Sequence, residues 1–326
     1  MGTSLYARCI RVGSEESNGR AELPSLSVKS RGVCPPLNNR HAQTRNGDSC
    51  PAQRPDGFRD EREADYMLRN AKDLHGFTIQ AADGEIGTVD QFYFEDETWA
   101  IRYLTVNTGG WLAGRQVLIS PISVIGVPDW QAKRLDLALT KKQVENSPDI
   151  NTHQPVSRQH EIAYFGYYGY PFYWGGSDLW GAAPNPAGLA IPIPPSTEAM
   201  ADSIAKESMD SHLRSSQEVT NYYLEAIDGE IGSVDGFVVD DEAWAIRYIE
   251  VATRNWWPGK KVLVSPVWAE RVSWEDSKVY VGLTRETIKD APEYVESMPI
   301  TREYEKQLHS YYGRPPYWPR DADLKP

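Results

Sequence analysis

Carboxylates are the residues of this 326-residue chain whose types and spacing most invite chemistry. Asp83, Glu85, Asp90, Asp96 and Glu97 recur 145 positions later as Asp228, Glu230, Asp235, Asp241 and Glu242. Converging on one point, such oxygen ligands would hold Ca²⁺ or Mg²⁺. Their spacing does not match an EF-hand loop, and the Asp-Gly pairs at Asp83-Gly84 and Asp228-Gly229 are turn chemistry. Turns and solvated strand ends are the expected role, so neither a metal site nor a cofactor is expected.

Other reactive groups are sparse. The histidines are His41, His75, His153, His160, His212 and His309, and none recurs at an equivalent position. No Ser-His-Asp or Cys-His set follows from the spacing, and no phosphate-cradling G-x-x-x-x-G-K-[ST] loop is present. The chain is therefore expected to have no catalytic residue. Arg102 and Arg247 sit among apolar neighbours in W-A-I-R-Y and are expected to pair with Asp90 and Asp235 on an adjacent strand. The candidates for binding a protein partner are aromatic, with one arginine. They are Trp111 and Arg115 in a Gly-containing loop, Trp256 and Trp257 in its counterpart, Tyr168 and Trp174, and Tyr312 and Trp318. Packing of these aromatics onto the protein's own body is the competing reading.

Charge narrows the partners. The net charge is −12, and residues 1–66, with 10 Lys/Arg and 9 Asp/Glu, contribute about +1 of it. The remaining −13 repels a phosphate backbone, which disfavours nucleic acid. No apolar run reaches the roughly 20 residues of a membrane-spanning helix. Cys9, Cys34 and Cys50 all lie in the N-terminal segment, which fits a reducing, cytoplasmic setting for the rest. Residues 1–66 are rich in Arg, Ser, Asn, Gly and Pro without periodicity and read as disordered or as an over-extended start.

These residues are carried by an internal repeat. Asp83–Pro121 and Asp228–Pro266 align without a gap, with identity at 23 of 39 positions. The match continues at an offset of 144 through Trp130/Trp274, Pro148/Pro292, Gly169/Gly313 and Trp174/Trp318. Two units follow, 67–174 and 217–320, joined by 175–216, a Gly/Pro-rich linker with a short helix near Thr197–Met209. Within a unit, alternating apolar residues and Asp-Gly turns give about six short strands, a pattern suited to a small closed barrel. Two short helices follow. Thr140 and Thr284 are read as N-caps of the first, and Ser157 and Thr301 of the second. Gly169 and Gly313 are placed at left-handed C-terminal positions. The face presented by the second helix is expected to be His160, Tyr164, Tyr167 and Tyr168, and Tyr304, Leu308, Tyr311 and Tyr312 in its copy.

The lines DGEIGTVDQFYFEDETWAIRYL and WLAGRQVLISP, repeated as DGEIGSVDGFVVDDEAWAIRYI and WWPGKKVLVSP, resemble the PRC-barrel family. The resemblance implies a mainly β fold of two tandem six-stranded PRC-type barrels, each followed by short helices. It implies use in contacts with proteins or ribonucleoprotein. A non-catalytic cytosolic adaptor is the first functional expectation. A photosynthesis-related electron-transfer accessory, similar to the cytoplasmic domain of the reaction-centre H subunit, and a ribosome or RNA-processing assistant are the alternatives. Because a single small barrel has a marginal core, the two units are expected to pack as a pseudo-two-fold pair.

Overall fold

A computed structural model of the chain describes residues 68–112, 114–148, 156–174, 176–190, 212–253 and 260–318. Residues 1–66, Trp256, Trp257 and the helix expected near Thr197–Met209 lie outside them.

The Asp-Gly turns open the longest strands. In the first half, β2 (Thr78–Ala81) turns at Ala82-Asp83 into β3 (Gly84–Glu95), followed by β4 (Ile101–Asn107), β5 (Gln116–Ile119) and β6 (Arg134–Asp136). Their order in the sheet is β5-β4-β3-β2-β6, antiparallel except for the parallel pair β2·β6. The second half repeats this with β8 (Tyr223–Ala226), β9 (Gly229–Asp240), β10 (Ala245–Ala252), β11 (Lys261–Val264), β12 (Ala269–Ser273) and β13 (Lys278–Val281), in the order β11-β10-β9-β8-β13-β12. The fold is mainly β, in two mixed sheets. Among the described residues no strand pairing joins β5 to β6 or β11 to β12, so the pairing is that of open sheets.

Each long strand needs a glycine in its first turn of pleat. A Cβ on Gly87 would lie 2.1 Å from the Asn107 carbonyl oxygen, and one on Gly232 would lie 2.2 Å from that of Ala252. The recurring D-G-E-I-G thus encodes a turn and then a close crossing of two backbones.

Helices close each half. α1 (Lys141–Glu145) starts at a capping box in which Thr140 and Gln143 satisfy each other's amides. α2 (Arg158–Tyr168) runs from the Ser157 cap to Gly169 at φ 69°. Their counterparts α4 (Arg285–Lys289) and α5 (Arg302–Tyr312) start at Thr284 and Thr301, and α5 ends at Gly313, φ 62°. All of these caps match the expected positions. Asp83 and Asp228 add a second function to their turns, because each accepts a 2.7 Å bond from the first backbone N–H of the following helix, at Lys141 or Arg285.

The face of α2 is not the one expected. Arg158, Glu161, Tyr164 and Phe165 are buried, whereas Tyr167 is exposed. In α5 the buried set is Glu305, Leu308, His309 and Tyr312, and Tyr311 is exposed. Charged residues inside the buried stripe displace it by one position from the aromatic one. The segment read as an extended linker also carries packing, since Trp180, Pro186 and Leu189 are buried and Trp180 is among the largest fully buried side chains.

Both halves of the sheet structure lie in one compact unit. They exchange their first strands. β1 (Arg69–Asn70) pairs with the end of β9, at Val239 and Val238, and β7 (Leu213–Ser215) pairs with the end of β3, from Tyr93 to Glu95. Between them Ala100 bridges Ala245, positions 145 apart, with Ile246 N–H donating to Trp99 O and Ile101 N–H to Trp244 O. Phe92 and Phe94 meet Phe237 at 6.0 and 5.6 Å across this seam.

Candidate functional site

Four of the ten recurring acidic residues, Asp96, Glu97, Asp235 and Asp241, meet the other half at the seam. Asp96, at the end of β3, takes Arg214 of β7 at 2.6 Å, with the Trp274 ring 4.0 Å from that guanidinium. Reciprocally, Asp241 takes Arg69 of β1 at 3.8 Å, with Trp130 5.2 Å from the Arg69 guanidinium and donating its Nε1–H to Asp241 at 2.5 Å. One arginine from each half is thus held between an Asp of the other half and a Trp of its own.

The expected partners of Arg102 and Arg247 are corrected. Arg102 pairs with Glu95 at 2.6 Å and Arg247 with Asp240 at 2.8 Å, not with Asp90 and Asp235. The reason is a bulge. The β3·β4 register steps between Tyr93/Tyr103 and Phe94/Ile101, and the β9·β10 register between Ile246 and Tyr248, so each arginine is the extra residue and turns toward the hairpin end. The Arg102 guanidinium and hydrogen bonds from Arg102 and Thr98 overcome the burial of Glu95 and hold its carboxyl below the ordinary range.

A second pair of networks fixes the long helices. Glu161, fully buried, accepts from Tyr103 Oη at 3.0 Å, Tyr173 Oη at 2.7 Å and Arg158 Nη1 at 2.8 Å. Glu305 has the same set in Tyr248 (3.0 Å), Tyr317 (2.8 Å) and Arg302 (2.9 Å). Burial pushes the Glu161 carboxyl up to about 7 against the pull of Arg158 and the two phenols, and raises Glu305 likewise. These residues were missed from the sequence. Their signal was there, in the R-x-x-E that follows Ser157 and Thr301 at the repeat offset.

The aromatic candidates are positioned as follows. Trp111 lies half-buried 4.6 Å from the Lys141 ammonium, and Arg115 donates to the carbonyls of Glu145, the last residue of α1, and of Ser147 just beyond it. Tyr168 stacks on Tyr170, and Trp174 on Phe172 with the Arg158 guanidinium 4.4 Å away. Tyr312 is buried against Trp268, while Trp318 lies 5.1 Å from the His309 ring and 4.1 Å from Arg302. Trp111 and Arg115 share one loop, Tyr168 and Trp174 one helix end, and Tyr312 and Trp318 its copy. Arg115 and Tyr168 meet at Ser147, so the first two places adjoin, and the third is the copy of the helix end in the other half.

What the seam does bring together is a groove of about 340 Å³. Its walls are the 3-10 turn Ala71–Leu74 and its counterpart α3 (Ser216–Val219), each following the exchanged strand of its half. Val89, Phe92 and Phe237 form the apolar floor, and Asp90, Asp235, His75, Lys72 and Gln217 stand at its edge.

The two sides of the groove differ in charge. Lys72 crosses from the first half to Asp235 at 2.7 Å, Glu296 at 3.3 Å and Glu250 at 3.5 Å, and Lys261 joins Asp235 and Glu296 from within the second half. Asp235, Glu250 and Glu296 bring carboxylate oxygens within 4.8 Å of one another, the spacing of a cation site, and two ammonium groups already neutralise them. Burial opposes the charge on Lys72, but the facing carboxylates outweigh it and its pKa is raised. Burial also carries the Glu250 carboxyl up to about 7 despite both lysines. The equivalents of Lys72, Glu250 and Lys261 on the other side are Gln217, Thr105 and Gln116, all neutral.

Residues 68–132 match the family model of the PRC-barrel domain. No curated protein matches the chain. The PRC-barrel stretch holds Arg69, Arg102, Trp130 and the first-half side of the groove, from Ala71 to Phe92. Among the described residues no helix is long and apolar enough to cross a membrane.

Proposed function

We propose that this chain is a non-catalytic adaptor. In this reading its two halves are PRC-type units in tandem that pack as a pseudo-two-fold pair and present the groove at their seam to a protein partner. The observation that carries the reading is the groove itself. It is apolar at its floor, polar at its edge, and built from both halves, so it exists only in the assembled pair. The carboxyls that burial raises support a non-catalytic role, because Glu161, Glu305 and Glu250 are each engaged in networks that hold structure. The confinement of cysteine to positions 9, 34 and 50 supports work in a reducing cytosol.

Affinity capture on the full chain tests the proposal, with Thr220→Trp placing an indole at the groove wall. Proteins held by the wild type and lost by the variant, at unchanged thermal stability, are the expected result. An identical set of captured proteins would contradict it.

A further inference from the structure

Internal comparison of the two sides of the groove identifies what kind of partner it fits. Asp90 and Asp235 are equivalent residues on opposite sides. Asp235 receives the ammonium of Lys72, which reaches over from the other half, and that of Lys261 from the neighbouring strand. Asp90 receives Gln116 Nε2 at 3.2 Å, and His75 Nε2 stands 4.0 Å away. Among the described residues no lysine or arginine pairs with Asp90, and its side chain keeps 28% of its exposure at the groove edge. Where Lys72 stands on one side, Gln217 stands on the other. A carboxylate at the mouth of an apolar floor attracts a cation attached to an apolar group, since the floor lowers the local dielectric and strengthens the pair.

Resting on the adaptor reading above, we infer that the groove takes a basic, apolar segment of a partner protein. One or two apolar side chains of that segment lie on Val89, Phe92 and Phe237, and a lysine or arginine beside them meets Asp90. The incoming cation takes the place that Lys72 fills at Asp235. The volume of about 340 Å³ is at the small end of the ~300–1,000 Å³ of ligand sites, which suits a short side-chain cluster rather than a folded surface. The chain's own charge of −12 favours approach of such a segment from a distance.

The test uses the full chain and two probes, acetyl-Lys-Leu-Phe-amide and acetyl-Glu-Leu-Phe-amide, followed by amide chemical-shift titration. The lysine peptide should shift Val89–Phe92 and Ser216–Gln217 and bind roughly fivefold more tightly than the glutamate peptide, the upper scale of one partly exposed ion pair. Asp90→Asn should erase that difference. Gln217→Lys, which supplies an internal ammonium from the other half, should do the same without touching Asp90. Equal binding of both peptides in the groove would overturn the basic chemistry and leave the groove as a partner site. No shift at the groove with either peptide would overturn this inference and the adaptor reading together.

Discussion

Replacing Trp180 with alanine asks whether the segment between the two halves is a spacer or part of the core. The indole is fully buried, lies 4.7 Å from the Arg102 guanidinium, meets the Tyr173 ring at 6.5 Å, and donates Nε1–H to Ala243 O of the other half at 2.8 Å. Truncating a buried tryptophan to alanine costs about 3–5 kcal/mol, and the lost cation–π contact and the bond to Ala243 fall within that figure rather than adding to it. For a folded unit of this size the loss corresponds to a fall of roughly 10 °C in melting temperature. Trp180→Phe keeps most of the apolar contact and loses the donor, so it should cost about 1–2 kcal/mol. Urea unfolding followed by far-ultraviolet circular dichroism measures both. A loss under about 1 kcal/mol for Trp180→Ala would refute the reasoning, because a side chain removed from water to this degree cannot be deleted at so small a cost.

Three further outcomes are expected. Gly87→Ala and Gly232→Ala should each destabilise by more than about 3 kcal/mol, because the added carbon meets a strand carbonyl at 2.1–2.2 Å, and chemical denaturation reads this directly. Arg214→Ala, which removes the 2.6 Å partner of half-buried Asp96 and leaves it His212 at 3.2 Å, should cost about 2 kcal/mol, and Arg69→Ala, with a 3.8 Å pair in a more open setting, about 1 kcal/mol; equal costs would remove the asymmetry claimed for the two clasps. The carboxyl of Glu161, at about 7 when folded against an ordinary 4.5, binds its proton more tightly in the folded state. Its contribution to stability is therefore complete below pH 4.5 and is lost as the pH rises to 7, by about 3 kcal/mol. Glu161→Gln should flatten that part of the stability profile, and an unchanged slope in the variant would assign the dependence elsewhere.

The parts of this fold legible in the sequence are those set by local rules. Asp-Gly turns, the Thr140 capping box and the Gly169 and Gly313 C-caps depend on a few adjacent residues, and all are present where expected. What was not legible depends on register and on partners distant in sequence. Alternation assigned Arg102 and Arg247 to Asp90 and Asp235, but one extra residue in each strand turned them to Glu95 and Asp240. The exchanged strands are two and three residues long, too short for any periodicity. Glu161 and Glu305 hid the buried face of their helices because they read as solvent-facing charges, whereas three hydrogen-bond donors make their burial tolerable. Trp180 was hidden by its Gly/Pro-rich surroundings, whose composition signals extension and says nothing of what a single indole packs against. The groove could not be read at all, since it requires knowing that Ala71–Leu74 and Ser216–Val219 face each other across the seam.

The central claim is that the two halves together form one partner-binding groove. A photo-crosslinking amino acid placed at Gln217, on the groove wall, tests it most directly when compared with the same group at Met298, which is 63% exposed and outside the groove lining. The account predicts a protein adduct from position 217 that is competed by acetyl-Lys-Leu-Phe-amide, and none from position 298. Adducts from position 298 with none from position 217 would contradict it.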